Sequence, residues 1–245
     1  MTSLHQISTL PPSDAKKKKC KKALKKLRKQ LFELQNVFYA DGKQAVLIIL
    51  QGLDTSGKDG VVRHVIRAMN PMGVNIKAFS APTEVEKQHD FLWRIYPHFP
   101  SKGMIQVFNR SHYEDVIVPM AKNSLPKERL DYRIDLINRL EKHLIRNDVH
   151  IFKFFLHISA EEQKEKIENR LKLPHKRWKY DKTDEQVNNR WGDYVDMWDY
   201  VIQKSGAVPW HIIPVDKRWY RNYAVAQTLV DKMENLDLKY PSIPT

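Results

Sequence analysis

Gly52, Gly57 and Lys58 stand at the GxxxxGK spacing of a phosphate cradle, within a segment that runs from Gly52 to Gly60 and includes Thr55 and Ser56. Glycines at these positions let backbone N–H groups converge on phosphate oxygens, the start of the following helix adds favourable partial charge, and Lys58 supplies a cation for the outer phosphates. An ordinary glycine turn has the same composition, but the apolar run Ala45–Leu50 before the loop and a helical pattern after it favour phosphate binding. Two carboxylates set this loop apart. Asp54 lies inside the cradle, where it repels phosphate unless a cation intervenes, which makes it the leading metal ligand. Asp59 replaces the hydroxyl that ordinarily meets Mg²⁺, and it reads equally as a second metal-side group or as an acid stabilised at a helix start.

Two further segments carry chemistry. Residues 109–115 read Asn109, Arg110, Ser111, His112, Tyr113, Glu114 and Asp115, after an apolar strand Met104–Phe108, and strand carboxyl ends are where ligands gather in parallel sheets. Asn109 occupies the place where a Walker B strand ends in Asp, so metal binding there reduces to an amide oxygen or a held water. Arg110 is suited to clamp a phosphate in bidentate fashion, with a surface ion pair as the plainer reading. His112 is set aside, because phosphoryl transfer needs little acid/base help. Arg170, Lys172, His175, Lys176, Arg177, Lys179 and Lys182 are interleaved with Trp178 and Tyr180. This is a flap that can close cations over phosphates and exclude water, or a platform for single-stranded nucleic acid.

The elements that position these groups follow from periodicity. Strands are expected at Ala45–Leu50, Asn75–Phe79, Met104–Phe108, Ile151–Ile158 and His211–Val215. Helices are expected at Asp59–Met69, around Phe91, Leu92 and Ile95, and at Lys127–Arg146, Glu161–Leu171 and Tyr223–Leu236. The order is α/β, three-layered, around a central parallel sheet. Residues 1–14 read as a flexible arm and 15–245 as one domain, with a lid at about 170–195. Between Lys16 and Tyr39, apolar residues recur at helical spacing among lysines, which describes a basic solvated face or a guide for a polyanion.

Composition bounds the partners. The 245 residues hold 42 Lys+Arg against 29 Asp+Glu, a formal charge of +13, so the chain attracts polyanions. The single cysteine, Cys20, leaves no internal disulfide. The first residues lack an apolar leader core and the longest apolar run is strand length, so a cytoplasmic protein without a membrane span is expected. Trp93, Tyr96 and Phe99 suit an oligomer interface or core packing equally.

The blocks GLDTSGKDG, FNRSHYEDV, RLKLPHKRWKYDKTDEQVNNRWGDY and PWHIIPVDKRW, taken in series, resemble the polyphosphate kinase 2 family across nearly all of the chain after Asp41. That resemblance implies a P-loop fold like thymidylate kinase with a basic helical lid. It also implies reversible transfer of a terminal phosphoryl from inorganic polyphosphate to a nucleoside mono- or diphosphate, with Mg²⁺ or Mn²⁺. Asp54 would serve Mg²⁺ and the acceptor phosphate, and Lys58 and Arg110 the phosphates in transfer. Gly52, Thr55, Ser56, Gly57, Asp59 and Gly60 would form the cradle, with Arg170, Lys176, Arg177 and Lys179 in the lid. NRSHYE with Glu114 is similar to the members that accept AMP, some of which also accept ADP, whereas the diphosphate-using subgroup reads DRSWYNRAG. A homo-oligomer is expected. The rivals are an ATP-dependent nucleoside monophosphate kinase and a nucleic-acid binder with an inactive loop.

Overall fold

The structure, a computed structural model, describes residues 2–242 apart from the side chains of Lys176, Lys179 and Lys182. In chain order the helices and strands are α1 (Lys17–Asp41), β1 (Ala45–Gln51), α2 (Lys58–His64), β2 (Val74–Ala78), α3 (Glu84–Lys87), β3 (Ile105–Asn109), α4 (Glu114–Ala121), α5 (Lys127–Arg146), β4 (Val149–His157), α6 (Ala160–Lys172), α7 (Lys182–Asn189), α8 (Trp191–Lys204), β5 (Trp210–Pro214) and α9 (Arg218–Glu234). The strands form one parallel sheet in the order β2-β3-β1-β4-β5. No helix among the described residues is long and apolar enough to cross a membrane.

The sheet order follows from side-chain character. β1 is buried along its whole length and sits at the centre, paired with β3 and β4, as a continuous apolar run requires. β2, half-exposed to exposed throughout, lies at an edge. α4, α5 and α8 pack together as one helical layer, and α1, α2 and α9 as the other. Because all strands run the same way, the loops after β1, β3 and β4 open at one end of the sheet, with the glycine loop between its neighbours.

Three expectations change. The helix after the glycine loop ends at His64 rather than Met69, followed by a 3-10 turn at Ile66–Ala68; Val61, Val62, Val65 and Ile66 are β-branched and crowd a helical turn. No helix spans Phe91 to Ile95. There, Asp90 Oδ1 accepts from the Leu92 N–H at 2.9 Å, and a 3-10 turn Tyr96–His98 follows with Pro97 inside it. Leu92 and Ile95 are still buried, while Trp93 and Tyr96 remain exposed.

The arm at residues 1–14 was expected to be flexible, and over its described part it is tied down instead. Leu4 is buried and its N–H donates to Asp199 Oδ1 at 2.9 Å, while Thr9 Oγ1 donates to Asp216 Oδ2 at 2.7 Å. Leu4 and Ile7 pack on the core, and acids far along the chain, Asp196, Asp199 and Asp216, hold residues 4–9 in place.

Candidate active site

The glycine loop is shaped by its neighbours. Gly52 has φ 143°, and a side chain there would meet the Leu156 carbonyl at 2.6 Å; Gly57 has φ 99° and lies against the Arg221 guanidinium. Thr55 and Arg110 also hold positive φ, 63° and 61°, strained values for side-chain-bearing residues that aim both into the same region. Lys58 is buried, and its ammonium donates to the carbonyls of Gly52 at 2.7 Å and Leu53 at 3.2 Å, folded over its own loop.

Asp54 and Arg110 meet at the centre. Arg110 Nη2 lies 2.5 Å from Asp54 Oδ1. Burial alone would raise the Asp54 carboxyl, but Lys58 and Arg110 outweigh it and hold the group below the usual carboxylate range. Burial also lowers Lys58, against the pull of Asp54. Glu114 goes the other way: burial pushes its carboxyl up despite Arg110 and Lys58. The Gln51 amide, with its nitrogen toward Glu114, donates to Glu114 Oε1 at 3.0 Å and accepts from the Ser111 N–H at 3.0 Å.

Asn109 Nδ2 donates to Asp59 Oδ1 at 2.9 Å, so the amide at the Walker B position and the acid at the hydroxyl position hold each other at the start of α2. His112 is buried against Lys153, and the two effects, burial first, bring its pKa to about 3; it stays neutral and away from the cleft.

Two cavities share this centre. The larger, about 660 Å³, is lined by Asp54, Gly57, Lys58, Asp59, Gly60 and Arg110, and beyond them by the cations Arg63, Lys166, Arg170, Arg218 and Arg221, with the His64 imidazole and the carboxylates of Asp181 and Asp184 among them. The smaller, about 470 Å³, takes in Gly52, Asp54, Arg110 and Glu114 and is walled further by Ile117, Val118, Val187, Tyr194 and Trp198, with Lys122, Gln186 and Arg190 among its other polar residues. Asp54, Arg110 and Thr183 line both. One chamber is cationic and the other half apolar, and the charged pair sits where they join.

The lid is a pair of short elements. A 3-10 turn Pro174–Lys179 leads to α7, capped by Asp181, whose carboxylate accepts from the Thr183 N–H at 2.9 Å. Arg170 pairs with Asp184 of α7, which fastens the lid to α6. Asn188 donates to Gln163 Oε1 at 3.1 Å, and Gln163 in turn donates to the Asp54 carbonyl at 3.1 Å, linking lid and loop through α6. Trp178 lines the cationic chamber, but Arg177 does not: its Nε donates back to the Leu171 carbonyl at 2.9 Å. The side chains of Lys176 and Lys179 lie outside the described residues.

Several lining residues were not singled out from the sequence. Arg221 follows the PWHIIPVDKRW block closely, and Lys166 stands in a helix of alternating charge; neither has a local signal, because only the packing of α6 and α9 against the loop brings them in. Arg190 and Tyr194 lay inside a quoted block without an assigned role.

The donor set suits a hard cation. Among the described residues no three His, Cys, Asp or Glu side chains gather as a metal cage. Mg²⁺ is generally held by one or two carboxylates together with substrate phosphates, and Asp54, which lines both chambers, is a carboxylate that could hold it in that way.

Residues 14–241 match the family model described as Polyphosphate kinase 2 (PPK2). The chain is 40% identical over 225 residues to an AMP/ADP-polyphosphate phosphotransferase of Meiothermus ruber, covering 91% of this chain and 84% of that protein. It is 37% identical over 227 residues to an ADP-polyphosphate phosphotransferase of Rhodopseudomonas palustris, covering 86% and 78%. The crystal structure of Polyphosphate Kinase 2 from Arthrobacter aurescens TC1 superposes with a TM-score of 0.96 at 38% identity, over 100% of this chain and 89% of that one.

Proposed function

The chain belongs to the polyphosphate kinase 2 family, and from that premise we propose that it is a polyphosphate:AMP/ADP phosphotransferase whose two chambers are the donor and acceptor sites. The observation that carries this assignment is the shared wall: Asp54 and Arg110 line both the cationic chamber and the half-apolar one. A chain of phosphates needs cations along its length. A nucleotide needs an apolar place for its base and a charged place for its phosphate. Transfer in line requires the two phosphates to meet, and among the described residues Asp54 and Arg110 are the charged groups common to both chambers.

In this reading Lys58 and Arg110 neutralise the phosphates in transfer, Gly52 to Gly60 cradle the donor, and Glu114 faces the acceptor. Arg170, Lys176 and Lys179 belong to the lid that excludes water. The acceptor oxygen is already ionised near neutral pH, so no strong base is needed and catalysis is positioning with charge neutralisation. Mg²⁺ or Mn²⁺ held by Asp54 would supply further neutralisation of the phosphate oxygens. One kinase domain over residues 15–245, with its lid at about 170–195, suffices for this, and the reading includes a cytoplasmic location and a homo-oligomeric state. An ATP-dependent nucleoside monophosphate kinase and an inactive nucleic-acid binder are not favoured, since the relatives named above act on polyphosphate by their own names.

The test supplies purified protein with polyphosphate plus AMP or ADP, and separately with ATP plus dTMP, and follows nucleotide products by chromatography. Phosphorylated adenosine nucleotides are expected in the first case alone. Lys58→Ala and Asp54→Asn should each lower turnover by roughly two to three orders of magnitude, the usual effect of removing a preorganised electrostatic group. Turnover near wild type in either variant would sink the residue roles.

A further inference from the structure

The lysines of α1 take no part in the site described above, yet the structure sets them beside it. α1 and α9 run parallel in contact: Tyr220 at the start of α9 is in electrostatic range of Cys20 and Asp14 at the start of α1, and further along Gln30 Nε2 donates to Glu234 Oε1 at 3.5 Å. The lysine-rich half of α1 therefore lies alongside the end of α9 that sends Arg218 and Arg221 into the cationic chamber. Arg28 makes the connection directly, its Nε donating to the His64 carbonyl at 2.7 Å, and His64 lines the chamber. Burial first, then the charges of Arg221, Arg28, Arg63 and Arg218, lower the His64 imidazole.

From Arg28 the helix leads outward in a definite direction. Lys25, Lys21 and Lys17 precede it at spacings of three, four and four, which places them on one flank of the helix, and all three are exposed. At 1.5 Å per residue the strip from Arg28 to Lys17 is about 16 Å long, and none of its four residues lines the chamber itself. Lys19, Lys22 and Lys26 are also exposed but lie on the opposite flank, turned away from Arg28.

We propose that Arg28, Lys25, Lys21 and Lys17 form an outer binding strip that continues the cationic chamber and holds the distal units of a long polyphosphate chain. The proposal rests on polyphosphate being the donor. The chemistry it recognises is a flexible chain with about one negative charge per unit, bound through release of counterions. Because the strip lies outside the chamber, it acts on chain capture and length preference and leaves the transfer step untouched.

The experiment compares long-chain polyphosphate with tetrapolyphosphate as donors to AMP, in wild type and in two triple variants of equal charge change. In Lys17→Glu/Lys21→Glu/Lys25→Glu, KM for the long chain should rise about tenfold at low salt, the lower end of what focused charge does to local counter-ion concentration. The slope of log KM against log salt should fall by about one per lysine removed. The kcat and the KM for tetrapolyphosphate should stay at wild type. In Lys19→Glu/Lys22→Glu/Lys26→Glu the long-chain KM should change far less, and Lys→Gln versions of both triples guard against effects of the introduced acids on folding.

Equal effects of the two triples, or equal effects on long and short donors, would overturn the strip. A single-stranded oligonucleotide that binds more tightly than polyphosphate of equal charge, and loses that binding only in the first triple, would overturn it in favour of nucleic acid. If wild type turns over neither donor, it is the proposed function that fails, and that outcome is distinct from the others.

Discussion

Replacing Lys153 by Met tests how the fold holds the strand end that carries Arg110 and Glu114. Lys153 is fully buried in the middle of β4, and its ammonium donates to Glu141 Oε2 at 2.8 Å, to Tyr113 Oη at 2.9 Å and to the Ser205 carbonyl at 2.9 Å. Tyr113 closes the network by donating to Glu141 Oε1 at 2.8 Å, and the rings of Trp210 and Tyr113 flank the ammonium at 4.9 and 5.3 Å. All three ammonium donors are matched.

Lys153→Met strands the Glu141 carboxylate without its cation, a change that costs about 3–5 kcal/mol when a buried pair is broken from one side. For a chain of this size each kcal/mol moves Tm by about 2–4 °C, so a fall of about 6–20 °C is expected by circular dichroism. Burial already raises the Glu141 carboxyl, and without Lys153 it rises further. A raised folded pKa contributes stability that is present below the unfolded pKa and lost as pH rises through the folded one, so the deficit should deepen from pH 5 to pH 8. Lys153→Met/Glu141→Leu should recover much of the loss, since a buried pair exchanged for apolar packing is often neutral. A single variant as stable as wild type, or a double variant worse than the single, would refute the account.

Three other perturbations bear on the site itself. Glu114→Gln should raise Tm at pH 8 and leave it unchanged at pH 4, because the buried carboxyl titrates above its unfolded value and its ionised form weakens the fold as pH rises; turnover should fall, and thermal scans across pH check the first part. Gly60→Ala would bring a methyl to 2.4 Å from Arg221 Nη2, an overpacking cost of about 1–3 kcal/mol that should largely vanish in an Arg221→Ala background, read as non-additivity of Tm. Chelation with EDTA should abolish transfer from polyphosphate to AMP while leaving Tm unchanged, and added Mg²⁺ or Mn²⁺ should restore it, since no all-protein cage exists among the described residues to couple metal to folding.

What the sequence reveals divides along sequence distance. β1 is legible because six apolar residues in a row have one stable place in an α/β sheet, and the loop after it is legible because phosphate binding needs glycines at fixed offsets. α5 matches its expected bounds because its apolar spacing is unbroken from Leu130 to Leu144. Arg221 and Lys166 were not legible, because their relevance is created by the packing of α9 and α6 against the loop. Nor was the network of Lys153: a lysine between Phe152 and Phe154 reads as a surface position of an alternating strand, whereas it is satisfied internally by partners from α5, the α8 end and the β3 end. The docking of residues 3–9 was missed for the same reason.

The pairing of Asp54 with Arg110 explains why a carboxylate is tolerated in a phosphate cradle at all. Apart, Asp54 would be a half-buried anion near Glu114, and Arg110 a cation strained at φ 61°. Together they satisfy each other, and Lys58 bends onto the Gly52 and Leu53 carbonyls. On the proposed function, phosphates in either chamber would compete with Asp54 for Arg110, since a guanidinium binds phosphate and carboxylate with the same fork. Asp54 would then be the carboxylate available to hold a hard cation. Because such an exchange could be driven from either chamber, one pair would serve transfer in both directions on that reading.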